Sequence, residues 1–322
     1  MNPDLVDAIA RLREGGVLAD APAARLSRAA RGELVSVEAE LRTLLYAGVL
    51  LVTSGVGLFL KANHERIGPA AIAALVGAGA LACLAYAARR LPGFTWESSG
   101  ATMAGPDYVL LLGVLLAGSD LAYLEAQWRL LGPDWPYHLL LYSAVAFVLA
   151  YRFDSRSVLS LALTSFAAWR GVSVSLAGTA LRGRGAGPEV RANALFCAAL
   201  FLAAGFVSLR SRRKAHFEPV YVTLGLLLAF GGLLSGIFQY DRSVWMAWEA
   251  PLLAASAAVI ALAYRRRRPL DFSIAVLAAY VGGLRLLFDR LRGRGGLFLV
   301  AASGIAVVAL LVAAQRRMKE NG

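Results

Sequence analysis

Along the chain, polar and apolar positions fall into long blocks rather than into a period of two. Ten apolar runs lie near 44–61, 69–88, 107–126, 136–151, 157–178, 191–209, 219–239, 245–264, 270–289 and 296–314. Runs of this kind approach the roughly 20 residues that a helix needs to cross a hydrocarbon core about 30 Å thick. The expected fold is therefore all-α: a polytopic transmembrane helical bundle of about ten spans. The fourth run is short and predicts little tilt or a thinned bilayer beside it. Pro69, Pro136 and Pro219 open three of the runs. A missing N–H is harmless there, because the first amides of a helix have no partner in any case. The alternation that marks a membrane β-barrel is absent.

Residues 1–43 have a different texture and form the first of two expected regions, a helical N-terminal region ahead of the transmembrane domain 44–322. Leu5, Ile9 and Leu12 recur at helical spacing, and Gly15-Gly16 stops that helix. Asp20 is placed to cap a second helix through Leu26 and Ala30. A third begins near Glu33 and runs toward the membrane through Leu41 and Leu44. Two readings stand for this region: an amphipathic hairpin on the membrane surface, or a small module that docks a partner protein. Arg11, Arg13, Arg25, Arg28 and Arg31 interrupt any signal-peptide core, so the first run is expected to stay in the mature protein.

Composition agrees with the blocks. Hydrophobic residues make up 58% of the chain, against about 45–50% for a soluble domain. The formal net charge is +12, which in a soluble protein would raise the question of nucleic acid. Here the cations lie between apolar runs and report topology instead. With the N-terminus inside, the inner segments hold nearly twice the lysines and arginines of the outer ones. They include Arg89, Arg90, Arg152, Arg156, Arg210 to Lys214, Arg265 to Arg268, Arg316, Arg317 and Lys319. Both termini are thus expected in the cytoplasm, with 91–106 as an inner loop that can dip into the interface through Phe94 and Trp96. A parallel repeat is also legible, runs three to six matching runs seven to ten. Tyr151 is followed by Phe166 and Arg170, and Tyr264 by Tyr280 and Arg285.

Candidate chemistry gathers around three charges inside apolar runs. Counted from Ser157, Arg170 lies about 13 residues into its run, roughly 20 Å at about 1.5 Å per residue. Asp120 reaches nearly the same depth from Asp107, and Arg285 a similar one in run nine. Such charges are costly in a bilayer, and pairing them is the simplest relief. The expectation is an Asp120–Arg170 ion pair with Arg285 nearby; the other reading lets Arg170 reach the outer headgroups along its own stem. Asp120, Tyr123 and Gln127 share one helix face. These five residues are the candidate ligand-binding set. Asn63, His64, Asn193, Gln239, Asp241, Glu249 and Asp289 lie near the same ends and would line an outward-facing vestibule. Ser157, Ser160, Thr164, Ala168, Gly171 and Ser175 form a small-residue stripe read as a helix-packing face.

Several classes of chemistry find no support. Cys83 and Cys197 lie in separate runs without a CxxC, and His64, His138 and His216 are scattered, so neither a metal nor a haem is expected. No GxxxxGKS, HExxH or GxSxG motif occurs. No enzyme activity, cofactor or nucleic-acid partner is expected; the bilayer is.

Two stretches carry a resemblance. The Leu12-Arg13-Glu14-Gly15-Gly16-Val17-Leu18 segment and the first hairpin, LLYAGVLLVTSGVGLFLKANHERIGP, resemble an uncharacterised bacterial membrane family, domain of unknown function 2157. That family usually has Asn-Trp where this chain has Asn63-His64. The resemblance is good over roughly residues 1–90, and YRFDSRSVLSLALTSFAAWRG looks like a signature of close relatives. It implies a bacterial inner-membrane location and no established activity, and so it transfers no site residues. Two functions are carried forward: binding or transport of a small, anionic solute or lipid headgroup through the outer polar pocket, and a non-transporting envelope scaffold or sensor whose N-terminal helices dock a protein.

Overall fold

The computed structural model describes residues 11–13, 15, 16, 19, 22, 23, 27, 38–94, 96, 104–172, 187–238, 242–290 and 296–320. Ten long α-helices and two short 3-10 turns, Gly132–Asp134 and Ala215–Phe217, are found among them, and no strand. The helices are α1 (Glu38–Ile67), α2 (Pro69–Arg90), α3 (Ala104–Trp128), α4 (Pro136–Phe153) and α5 (Arg156–Trp169), then α6 (Pro188–Ser211), α7 (Glu218–Ile237), α8 (Arg242–Arg265), α9 (Pro269–Arg290) and α10 (Gly296–Glu320). Nine of the ten apolar runs fall largely on one helix each, and the fifth does so as far as Trp169. Six are long and apolar enough to cross a membrane: α2, α3, α6, the stretch Ala215–Ile237 and the apolar parts of α8 and α9. In α1 and α10 the apolar segments are shorter, Thr43–Phe59 and Ser303–Gln315.

Two compact units are distinguished, Met1–Ala62 and Asn63–Gly322. In the first, Arg11–Arg13 are helical and the amides of Gly15 and Gly16 bond back to the carbonyls of Arg11 and Arg13. Gly16 takes φ 69°, the left-handed conformation that closes a helix most cheaply with glycine. Leu5, Ile9, Asp20, Leu26, Ala30 and Glu33 lie outside the described residues.

The second unit is built from hairpins of neighbours in sequence. α2 packs on α3, α4 on α5, α6 on α7, and α8 on α9. α7 is the hub: it touches α5, α6, α8 and α9. Its Leu226, Phe230, Leu233 and Ile237 form one core with Leu252 of α8 and Ala275 and Ala278 of α9. Close approach of α6 and α7 depends on glycine, because a Cβ on Gly225 would stand 2.9 Å from Leu202. Leu75, Leu81, Leu141, Val148, Phe206, Leu227 and Leu277 point outward and are exposed. An apolar outer wall is what lipid contact requires, since hydrocarbon offers no partner to a polar group.

Run five departs from expectation. α5 stops at Trp169, after 14 residues, or about 21 Å. Arg170 is its C-cap and Gly171, at φ 72°, turns the chain. The arginine is therefore not deep within a helix but at its carbonyl end, where a cation is favoured by the orphan carbonyls and the helix dipole. The part of the run at 173–178, with Ser175, lies outside the described residues. The small-residue stripe is not the packing face either. The buried face is Val158, Leu159, Ala162, Leu163, Ser165 and Ala167, whereas Thr164 and Gly171 are exposed. Ser160 and Thr164 give their hydroxyl hydrogens to carbonyls one turn back in their own helix. Once satisfied in that way, a hydroxyl has no need of a neighbouring helix.

Candidate functional site

The turns of the second unit gather at two opposite poles. At the first, α4 ends, α6 ends, α7 begins, α8 ends and α9 begins. Asp154 follows α4 in the left-handed region, φ 59°, and Lys214 precedes the turn Ala215–Phe217 at φ 51°. The Lys214 ammonium, only 1% exposed, donates to Asp154 Oδ1 at 2.6 Å. His216 Nε2 lies 2.6 Å from the same oxygen. The ammonium also stands 5.3 Å from the Phe94 ring centre and 5.5 Å from that of Phe217. The Lys214 amide donates to the Trp96 carbonyl, which ties the chain after α2 into this cluster.

A second network lies beside it. Glu218, 3% exposed, accepts from Arg268 and faces Arg266 at 4.0 Å. Arg268 also reaches Asp271 at 3.6 Å, and the Thr223 hydroxyl donates to Asp271 at 2.7 Å. Each buried carboxylate of this ion-pair pole thus has a cation within reach, which is the condition for keeping it there.

The opposite pole is different. Arg170 Nη2 donates to Asn193 Oδ1 at 2.6 Å, and Asn193 Nδ2 donates back to the Arg170 carbonyl at 3.0 Å. The guanidinium stands 5.7 Å from the Trp169 ring centre and 5.4 Å from that of Phe196. Its Nε is buried without a hydrogen-bond partner. Arg191, 7% exposed, donates from Nε to Ser235 at 3.3 Å and lies 4.8 Å from the Trp248 ring centre. Trp248 is seated on Gly236, where a Cβ would come within 2.4 Å of the ring. Arg285 donates from Nε to the Ile237 carbonyl at 3.3 Å, at the dipole-negative end of α7. Glu249 is 4% exposed and lies against Gly282. Arg170, Arg191 and Arg285 thus stand at one end of α5, α6 and α9, and neutral amides, hydroxyls, carbonyls and rings are among their described contacts; we call this the arginine pole.

The five residues singled out from the sequence are divided between two places. Asp120 lies against α2, where a Cβ on Gly77 would stand 3.0 Å from its Oδ2, and its Oδ1 is buried without a hydrogen bond. The Tyr123 hydroxyl is also buried without one, and Gln127 is exposed. Arg170 and Arg285 stand on α5 and α9. The Asp120–Arg170 pair is not formed: Arg170 holds Asn193 instead. Equal depth does not bring two side chains to the same azimuth. The polar link between α3 and α5 lies at their beginnings, where Ser157 donates to Asp107 at 3.3 Å.

Sequence reasoning missed Arg191, Ser235 and Trp248. It began run six at Arg191 itself, although Gly187-Pro188 marked an earlier start. Glu125 has a structural task, accepting from the amides of Leu131 and Gly132 at 3.0 Å each. Both cysteines are free, and among the described residues no three His, Cys, Asp or Glu side chains come together to hold a metal.

No curated protein matches the chain, and no solved structure does. A family model does match, over a stretch that reaches beyond the first hairpin, takes in Asp120 and Asp154, and ends before Arg170. Residues 10–159 match the model of the family described as "Predicted membrane protein (DUF2157)".

Proposed function

We propose that this is a ten-span protein of the cytoplasmic membrane, both termini inside, whose arginine pole binds the anionic group of a lipid headgroup or small solute. The observation that carries the reading is Arg170. Its side chain meets an amide and two aromatic rings, with no carboxylate among its described contacts. Guanidinium groups in such surroundings suit phosphate or carboxylate ligands, which they grip with two parallel N–H bonds. The orientation is supported by Arg152, Arg156, Arg210, Arg212, Arg213 and Lys214, and by Arg265 to Arg268, all of them at or beside the turns of the ion-pair pole. The parallel repeat is part of the proposal, with α5 and α9 as equivalents that each bring an arginine to the arginine pole.

Native mass spectrometry of the purified protein with phosphatidylglycerol and phosphatidylcholine tests the headgroup arm. Thermal shift with inorganic phosphate or sulfate tests the solute arm. One arm should show binding that Arg170→Gln weakens about tenfold, or about 1.4 kcal/mol. No anion preference in either arm, or a preference that survives Arg170→Gln, rejects the reading and favours the scaffold.

A further inference from the structure

Glu249 lies about one turn inside the apolar stretch Met246–Arg265 of α8 and is 4% exposed. Both carboxyl oxygens are buried, and neither has a hydrogen-bond partner. The backbone of α9 passes directly beneath: a Cβ on Gly282 would stand 2.7 Å from Glu249 Oε1 and 3.0 Å from Leu252. Two turns further along the same face of α8, Ser256 is 0% exposed and its hydroxyl also has no partner. The close approach of α9 therefore sets the carboxyl in a dry seam between two helices.

The groups around that seam decide which form of the acid it holds. Among the described side chains of α9, the charged one here is Arg285, one turn beyond Gly282; its charge acts on Glu249, while its Nε is directed to the Ile237 carbonyl. Tyr280, also on α9, is bonded to Ser303 of α10. α7 carries no titratable side chain from Phe230 to Ile237; its Ser235 serves Arg191, which lies over Trp248. A carboxylate needs donors for its oxygens, and this seam supplies none in hydrogen-bond contact. A neutral acid has no such requirement.

We propose that Glu249 is a proton-binding site: the carboxyl is held protonated in this conformation and exchanges its proton with water at the arginine pole. The proton leaves as hydronium, the carboxylate left behind is countered by Arg285, and no electron moves. The inference needs no anionic ligand and stands or falls apart from the anion-binding reading.

An apolar carbodiimide adds across a protonated carboxyl inside a membrane to give a stable acylurea, whereas a water-soluble carbodiimide needs aqueous access. With the full-length protein in liposomes, dicyclohexylcarbodiimide should modify the Glu249 peptide at neutral pH. Labelling should fall about tenfold per pH unit once the carboxyl titrates. The soluble reagent should leave that peptide untouched. Infrared spectroscopy should show a protonated-carboxyl C=O band at neutral pH that is missing from Glu249→Gln, a nearly isosteric change. If wild-type protein lacks a band assignable to Glu249, or if the soluble reagent labels the peptide as well as the apolar one, the proposal is overturned.

Discussion

The two poles of the second unit hold buried charge by opposite means. At the ion-pair pole, Asp154, Glu218 and Asp271 each meet a lysine or an arginine at close range. At the arginine pole, Arg170 is met by Asn193 and the rings of Trp169 and Phe196. A pair of opposite charges satisfies itself and has little left for a ligand. A cation held by amides and rings keeps most of its field, because neutral partners position it without neutralising it. The first arrangement suits a joint between helices, the second a place that receives an anion.

The sharpest way to break that contrast is to unpair the first pole. Lys214→Ala would take a close cation from Asp154 and remove the ammonium from between two phenylalanines. A loss of about 3–5 kcal/mol is expected, read from detergent or thermal unfolding. Asp154→Ala in the same chain should recover part of that loss; if it recovers none, the two do not act as a pair.

A smaller effect is expected at the other pole from packing alone. Gly236→Ala drives a methyl into Trp248 and through it displaces the support of Arg191. That should cost about 1–3 kcal/mol in the same assay. An unchanged midpoint would show that the tryptophan has room to move.

The smallest effect sharpens the contrast by its absence. Asp120→Ala and Arg170→Ala should be additive within about 0.5 kcal/mol in a double-mutant cycle, since the two side chains rest on different neighbours. A larger coupling would mean that the arginine answers to the aspartate after all.

Much of the fold was legible because a membrane helix announces itself by composition. Nine apolar runs fell largely on a helix each, and the fifth did so as far as Trp169. What was not legible was where a run breaks and which side chains meet. Trp169-Arg170-Gly171 contained the signal for a C-cap, yet the apolar stretch beyond it hid the stop. Depth along a helix could be counted from the sequence, but azimuth could not, so Asp120 and Arg170 were joined on half the information. Asn193 was noted only as one of several outer polar residues, since a neutral amide carries no mark of its partner. Glu249 was read only as one of the residues lining the vestibule. Its isolation comes from Gly282, 33 residues later on another helix, and no local pattern reports that.

Pro251 stands within α8, two residues beyond Glu249. A proline has no amide hydrogen to return to the carbonyl four positions earlier, so the rung at Ala247 stays open. The opening turns of α8, which carry Trp248 and Glu249, can therefore lean against the rest of the rod without giving up a backbone bond at that rung. A tilt there would move the indole beneath Arg191 and the acid above Gly282 as a single piece. Occupancy by an anion and uptake of a proton would then be felt through one hinge.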